Sequence, residues 1–277
     1  MDIPVLLLIS NRQEKLRKQI QALRQVQPVQ LYVAGDGPRP SHPGEAEKVQ
    51  ATRAVLQEID WPCQLYTHFQ DTNLGCQQGV FAGLDWYWGQ VEEGIVLEDD
   101  TIPHPDFFRF QTELLPRFRH DERVALVAGS NYNYLTQPFP YSYFFSRFQN
   151  IWGWGSWRRV WQGFDVAQRT LPHLLASGEL ASIIAEPRLH AYYSRVFQEV
   201  YHQRLDTWDY PFFLHHLLQN RLTVYPAANL VTNVGFDEEA THTTQASDVA
   251  QMAYEPLAFP LQHPPHMVRC PAFEAKR

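Results

Sequence analysis

The densest chemistry in the sequence is Ile95-Val96-Leu97-Glu98-Asp99-Asp100, three carboxylates directly behind an apolar run. Adjacent negative charges repel one another, so a buried strand end does not accumulate them without a cation. Hard divalent ions take oxygen ligands, and Mg²⁺ or Mn²⁺ uses one or two carboxylates, with phosphates and waters completing the shell. A metal held there bridges an anionic diphosphate to an acidic protein. The competing reading is an exposed acidic loop, and the apolar strand just before the triplet weighs against it.

Three further clusters carry candidate chemistry. In Asp206-Thr207-Trp208-Asp209-Tyr210 a carboxylate held among aromatics suits a general base, because burial raises its pKa. The same residues before Tyr210-Pro211 also suit a helix N-cap, and on pattern alone the cap is favoured. Ile151-Trp152-Gly153-Trp154-Gly155-Ser156-Trp157 offers flat apolar faces for sugar rings, or a packed core, with Arg158 and Arg159 as phosphate contacts or a solvated helix face. Gly235 to Thr243 is a polar loop fit to close over a ligand. Its His242 is a metal ligand, a phosphate contact or a structural residue.

The elements that position these groups alternate. Pro4–Ile9 is continuously apolar, the pattern of a parallel strand covered on both faces. Asn11 and Glu14 form a capping-box pattern for the helix that follows. Leu31–Ala34 is a second strand and ends in the turn Gly35-Asp36-Gly37-Pro38. A helix is predicted over Glu45–Ile59, a strand over Gln64–Phe69, a helix over Gly79–Trp88 and a strand over Gly94–Leu97. This order predicts an α/β fold with a mixed, mostly parallel sheet flanked by helices, and in such sheets ligands bind outside the carboxyl ends of the strands. Asn11-Arg12, Asp36, Asp71-Asn73 and the acidic triplet then converge on one crevice. Beyond a strand at Arg123–Gly129, residues 132–161 are crowded with Tyr, Phe and Trp. Helices are predicted over Leu189–His202 and Tyr210–Leu218, extended chain over Val224–Val234, and an extended surface arm over Glu255–Pro271, which holds five prolines.

The 277 residues are 44% hydrophobic with a net charge of -7. That is enough for a large core, and an acidic balance disfavours nucleic acid as a partner. No run approaches the roughly 18 apolar residues of a membrane span. Three cysteines at wide spacing (Cys63, Cys76, Cys270) form neither a disulfide framework nor a zinc signature, so a reducing, cytoplasmic location is expected.

From about Pro4 to Thr243 these motifs, in this order, resemble the GT-A-type nucleotide-diphospho-sugar transferases, and among them those similar to N-acetylglucosaminyltransferase I. Pro4–Arg12 looks like the family's first strand and the arginine that contacts the nucleotide. Leu31–Asp36 looks like its second strand, whose last aspartate hydrogen-bonds uracil. Val96–Asp100, followed by Pro105-Asp106-Phe107-Phe108, looks like the family's aspartate-containing metal motif and the helix start after it. By position, the resemblance makes Asp100 the metal ligand and sets Glu98 and Asp99 against the donor sugar and ribose. It places Trp154 near that sugar and His242 over the diphosphate. Trp208-Asp209-Tyr210 resembles the segment with the catalytic base. The family carries two adjacent aspartates there and this chain one, so Asp206 stays beside the favoured Asp209. The family's Golgi anchor is absent, which suits a soluble, bacterial-type relative.

The resemblance implies a single GT-A domain: residues 1–130 bind the nucleotide sugar, 131–250 bind the acceptor and catalyse, and 251–277 form the arm. It implies a Mn²⁺- or Mg²⁺-dependent, inverting transfer of a hexosyl or N-acetylhexosaminyl group from a UDP-sugar to a glycan or other hydroxyl acceptor. Three rivals remain. A sugar nucleotidyltransferase usually has a glycine-rich loop after its first strand, and Ser10-Asn11-Arg12-Gln13 has none. A glycoside hydrolase leaves the nucleotide-binding architecture unexplained. A non-catalytic carbohydrate- or nucleotide-binding protein has little use for the acidic triplet.

Overall fold

The structure is a computed structural model that describes residues 1–132, 139–235 and 252–276. Its first half alternates: β1 (Val5–Ile9), α1 (Gln13–Arg24), β2 (Gln30–Gly35), α2 (Glu45–Ala54) with a 3₁₀ turn at Val55–Glu58, β3 (Gln64–Phe69), α3 (Gly75–Gln90) and β4 (Glu93–Glu98). Every residue of β1 is buried, which explains its unbroken apolar sequence. β1 pairs in parallel with β2 on one side and β4 on the other, and β2 pairs in parallel with β3.

The second half contributes β5 (Thr101–Pro103), α4 (Pro105–Phe118), β6 (Val124–Ala128), β7 (Tyr143–Ser146) and β8 (Trp154–Trp157). Then follow α5 (Arg158–Trp161), α6 (Leu171–Ser177), α7 (Glu179–Ile183), α8 (Pro187–Tyr201), α9 (Asp209–Leu218), β9 (Leu222–Pro226), β10 (Val231–Asn233) and α10 (Pro271–Glu274). The strands form one eight-stranded sheet in the order β3-β2-β1-β4-β8-β6-β9-β7, and β10 pairs with β5 in a separate ribbon. β8 runs antiparallel to both its neighbours, β4 and β6. The sheet is therefore mixed: β1 to β4 are parallel, β6 pairs in parallel with β9, and β7 runs antiparallel to β9, with helices flanking the sheet as the sequence predicts. A second cluster of buried side chains, including Phe148, Leu171, Phe197 and Phe213, packs α6, α8 and α9 together. Among the described residues no helix is long and apolar enough to cross a membrane.

The chain leaves β1 towards β2 and β3 and returns to β4 on the opposite side of β1. Strand order reverses there, and a crevice opens outside the carboxyl ends of strands at such a point. β1 ends in Ser10-Asn11-Arg12 and β4 in Glu98-Asp99-Asp100, with Leu8 in register with Glu98. The topology alone brings Arg12 and the triplet together.

Several local expectations shift. The capping box does not form, because α1 has Arg12 at its N-cap with no side-chain cap. Asn11 instead donates to Glu45 Oε1 at 2.8 Å, and Glu14 pairs with Arg17. α3 starts four residues before the predicted Gly79, because remote carboxylates satisfy its first amides. Around the Pro-rich stretch, Leu261 is buried, Cys270 N–H donates to Phe145 O at 2.9 Å, and α10 buries Phe273. The end of this segment therefore closes the β7 edge of the sheet.

The turn carrying the triplet is held from beneath. Gln19 of α1, fully buried, donates its amide to Glu98 O at 2.5 Å and to Thr101 O at 3.0 Å. Thr101 Oγ1 also donates to Glu98 O, at 2.8 Å. A Gln19→Leu substitution strands a buried carbonyl and is expected to cost about 1–3 kcal/mol in urea unfolding, with an unchanged slope.

Candidate active site

A cleft of about 850 Å³ opens over the carboxyl ends of β1, β2 and β4. Of the residues singled out from sequence, Arg12, Asp36, Glu98, Asp99 and Asp100 all line it, as does Asp206. Six carboxylates (Asp36, Glu45, Glu98, Asp99, Asp100, Asp206) face three cations (Arg12, Arg39, Lys48). An anionic ligand meets an acidic wall here.

Arg12 is the internal counter-ion of the triplet. Its Nη1 lies 2.8 Å from Asp99 Oδ1 and 3.9 Å from Asp100 Oδ2. One guanidinium does not satisfy three carboxylates. Glu98 Oε1 and Asp99 Oδ2 are buried and have no hydrogen-bond donor among the described residues. Burial raises the pKa of Glu98 well above the carboxylate range, with the charges of Asp100, Asp209 and Asp99 adding to it. Burial likewise raises Asp99, against the pull of Arg12. Asp100 is pushed up to about 6 by burial first and the Asp99 charge second.

Orphaned, desolvated carboxylate oxygens are the donor set that a hard divalent cation satisfies. Among the described residues no three His, Cys, Asp or Glu side chains gather into a metal-holding group. A cation that takes one or two carboxylates and completes its shell with phosphate and water needs no such group. His242 lies outside the described residues.

The triplet is also backed by the far strand. β10 pairs with β5, so the chain leaving Asn233 runs beside Asp100, and Val234 N–H donates to Asp100 O at 2.8 Å. Gly235 sits directly against the Asp100 carboxylate, where a Cβ would strike Oδ2. Any larger residue there would force the Asp100 side chain to move. Sequence reading placed Gly235 in a polar loop and gave no sign of this contact.

Two of the acidic residues serve structure. Asp36 accepts from Gly37 N (2.8 Å), Asn73 Nδ2 (2.8 Å), Leu74 N (2.9 Å) and Gly75 N (3.2 Å), which occupies both its oxygens. Asp206 accepts from Cys76 N and Gln77 N, each at 2.8 Å. Together they cap the first turn of α3, so this helix N-terminus has no amides left for a phosphate. The cap expected for α9 does not form, because Trp208 sits at its N-cap without a side-chain cap; Asp206 caps α3 instead, about 130 residues away in sequence. Asp209 is the first residue of α9, half-buried, and accepts from Thr207 Oγ1. It does not line the cleft, but its charge acts on Glu98.

The tryptophan segment divides. Trp154 is fully buried in β8, between β4 and β6, and packs on Trp88, Trp208 and Phe212. It does not line the cleft, whereas Trp152 does. Gly153, at φ +64°, turns the chain out of the strand between them. Glu45 had no sequence signal beyond an acid at a helix start. It clamps two cleft loops, accepting from Asn11 Nδ2 at 2.8 Å and from Arg39 N at 2.6 Å. The Arg39 guanidinium, first of its causes, holds Glu45 down at about 2.

No family model matches the chain, and no curated protein matches it significantly. Solved structures match part of the backbone. One is a mannosyltransferase from Pyrobaculum calidifontis in complex with GDP-Man and Mn²⁺, with 12% identity over 58% of this chain and a TM-score of 0.37; the chain spans 47% of that protein's length. Mouse xyloside xylosyltransferase 1 in apo form matches at 12% identity over 78% of this chain and 81% of its own, with a TM-score of 0.37. An apo UDP-glucose pyrophosphorylase matches at 7% identity over 82% and 90%, with a TM-score of 0.40. These likenesses are partial, and the chemistry of the site rests on its own geometry.

Asp100 gives a pH signature. Its folded pKa of about 6 lies above the ordinary 3.8, so the folded state holds the extra proton between those values. Its contribution to stability is therefore lost as pH rises through about 6 and regained as pH falls. Without divalent cations, Asp100→Asn is expected to exceed wild type by about 1–3 kcal/mol near pH 8 in guanidinium unfolding. The gap should shrink as pH falls towards about 4.

Proposed function

We propose that this chain is a GT-A-type, metal-dependent glycosyltransferase that moves a sugar from a nucleotide diphosphate, UDP by the resemblance, to a hydroxyl acceptor with inversion. The reading is supported above all by the buried, under-satisfied Glu98-Asp99-Asp100 turn at the point where strand order reverses, inside a cleft whose side chains are net acidic. With α3 already capped, a diphosphate finds too few cations among these side chains, and a divalent ion bridges the mismatch.

Asp100 would hold Mn²⁺ or Mg²⁺, and His242 is proposed as a further ligand. When bound, the ion supplies the positive charge that stabilises the departing diphosphate. Arg12 pairs with Asp99 and fixes its direction, so that Glu98 and Asp99 meet the donor sugar and ribose. Asp36, with both oxygens engaged, acts by fixing the Gly35–Gly37 turn against which the base lies. Trp152 is the indole presented to the donor sugar, and Trp154 supports it from within the sheet. The division of labour follows the chain: residues 1–130 bind the donor, and 131–250 shape the acceptor side and supply the base.

Asp209 is the proposed base. Asp206 is committed to two α3 amides, whereas Asp209 begins α9 and its charge acts on Glu98. In one displacement the acceptor hydroxyl oxygen attacks the anomeric carbon, its proton passes to the Asp209 carboxylate, and the bond to the diphosphate oxygen breaks. The products are an inverted glycoside and the nucleoside diphosphate.

Asp209→Asn is expected to lower kcat by roughly 10²–10⁴ with little change in donor KM. NMR of the product should show the anomeric configuration opposite to that of the donor. A retained configuration excludes this role for Asp209. Release of sugar 1-phosphate from UDP-sugar and pyrophosphate, without transfer, would favour the nucleotidyltransferase instead.

A further inference from the structure

The two edges of the large sheet are treated differently. At β7 the chain's own C-terminal segment closes the edge, through the Phe145–Arg269 bridge and the Cys270–Phe145 hydrogen bond. At β3 nothing among the described residues pairs with the outer side. Gln64, Leu65, Tyr66 and Thr67 are all exposed. Natural edge strands are usually blunted by charge, proline or a bulge. β3 reads Gln-Leu-Tyr-Thr-His-Phe, with no Lys, Arg, Asp, Glu or Pro, and pairs in unbroken register with β2. Large apolar side chains are exposed around it: Val29, Leu65, Tyr66 and Leu74.

The direction of the free backbone groups follows from the ladder. Gln64 N–H donates to Val29 O at 2.7 Å and Gln70 N–H to Gly35 O at 3.0 Å, both towards β2. By the period of two, the amides and carbonyls of Leu65, Thr67 and Phe69 point away from the sheet.

We infer that β3 is a homodimer interface, pairing antiparallel with β3 of a second copy about a two-fold axis at Thr67. This register is self-complementary. Thr67 faces its symmetry mate, and Leu65 faces the second copy's Phe69, so each outward residue falls in a hydrogen-bonded pair. On the opposite face Tyr66 meets the second copy's His68, an aromatic pair at a close, non-hydrogen-bonded position. Both rings are already braced from within the chain: Tyr66 stacks on Tyr32 at 4.7 Å, and His68 on Trp86 at 5.2 Å. No charged residue lies within the paired strands, so no like charges are opposed. The two sheets merge into one continuous sheet, and an isologous contact of this kind closes at two copies.

The test is light scattering coupled to size-exclusion chromatography on the full chain, across concentrations into the tens of micromolar. Wild type is expected at twice the 32.3 kDa chain mass. Thr67→Lys and Thr67→Asp each set two like charges opposite one another and should run as monomers with unchanged circular dichroism. Mixing the two variants should restore the dimer, because lysine then faces aspartate. That rescue separates lost pairing from misfolding. A monomeric wild type, a lysine variant that stays dimeric, or a mixture that stays monomeric would each overturn the inference.

Discussion

Everything at this site depends on one electrostatic constraint: three consecutive carboxylates leave a buried strand with the Arg12 guanidinium and the more weakly acting Lys15 ammonium to balance them among the described residues. Arg12 reaches Asp99 and, at longer range, Asp100. Among the described residues it leaves buried oxygens on Glu98 and Asp99 without donors. Such a turn is unfavourable by itself, since desolvation and mutual repulsion both act against the charged forms. The fold holds it through contacts that are not acidic: the buried amide of Gln19, the hydroxyl of Thr101, and the β10 chain laid against Asp100.

The rest of the cleft follows from the same constraint. Asp36 and Asp206 use their charge on the amides of α3, which turns a potential anion site into a rigid wall. Glu45 ties the loop after β1 to the loop after β2. The fixed walls leave the Glu98–Asp100 turn as the place where charge is under-satisfied among the described residues.

The parallel half of the fold was legible in the sequence because its physics is local. Val5–Ile9 and Ile95–Leu97 are buried on both faces and read as unbroken apolar runs, and their polar ends identify the crevice. The second half was legible only in part: the strand over Arg123–Gly129 and the helices over Leu189–His202 and Tyr210–Leu218 stand as β6, α8 and α9, but the antiparallel strands β7 and β8 were not read. β8 is buried throughout, and its Trp-Gly-Ser-Trp sequence shows neither alternation nor a β-branched run. Sequence spacing therefore could not separate the buried Trp154 from Trp152 on the cleft. The caps on α3 were hidden for another reason: Asp206 acts across about 130 residues, and a remote cap leaves no spacing signature. Gly235 is similar, because its close contact is with Asp100, which the β5–β10 pairing brings beside it.

The most direct measurement is titration calorimetry of UDP into the wild-type protein, with and without Mn²⁺, alongside Asp100→Asn. A donor site completed by a cation requires UDP to bind wild type only when Mn²⁺ is present, and requires Asp100→Asn to lose that binding while remaining folded. UDP binding of equal strength without metal, or undiminished in Asp100→Asn, would contradict the role assigned to the acidic turn.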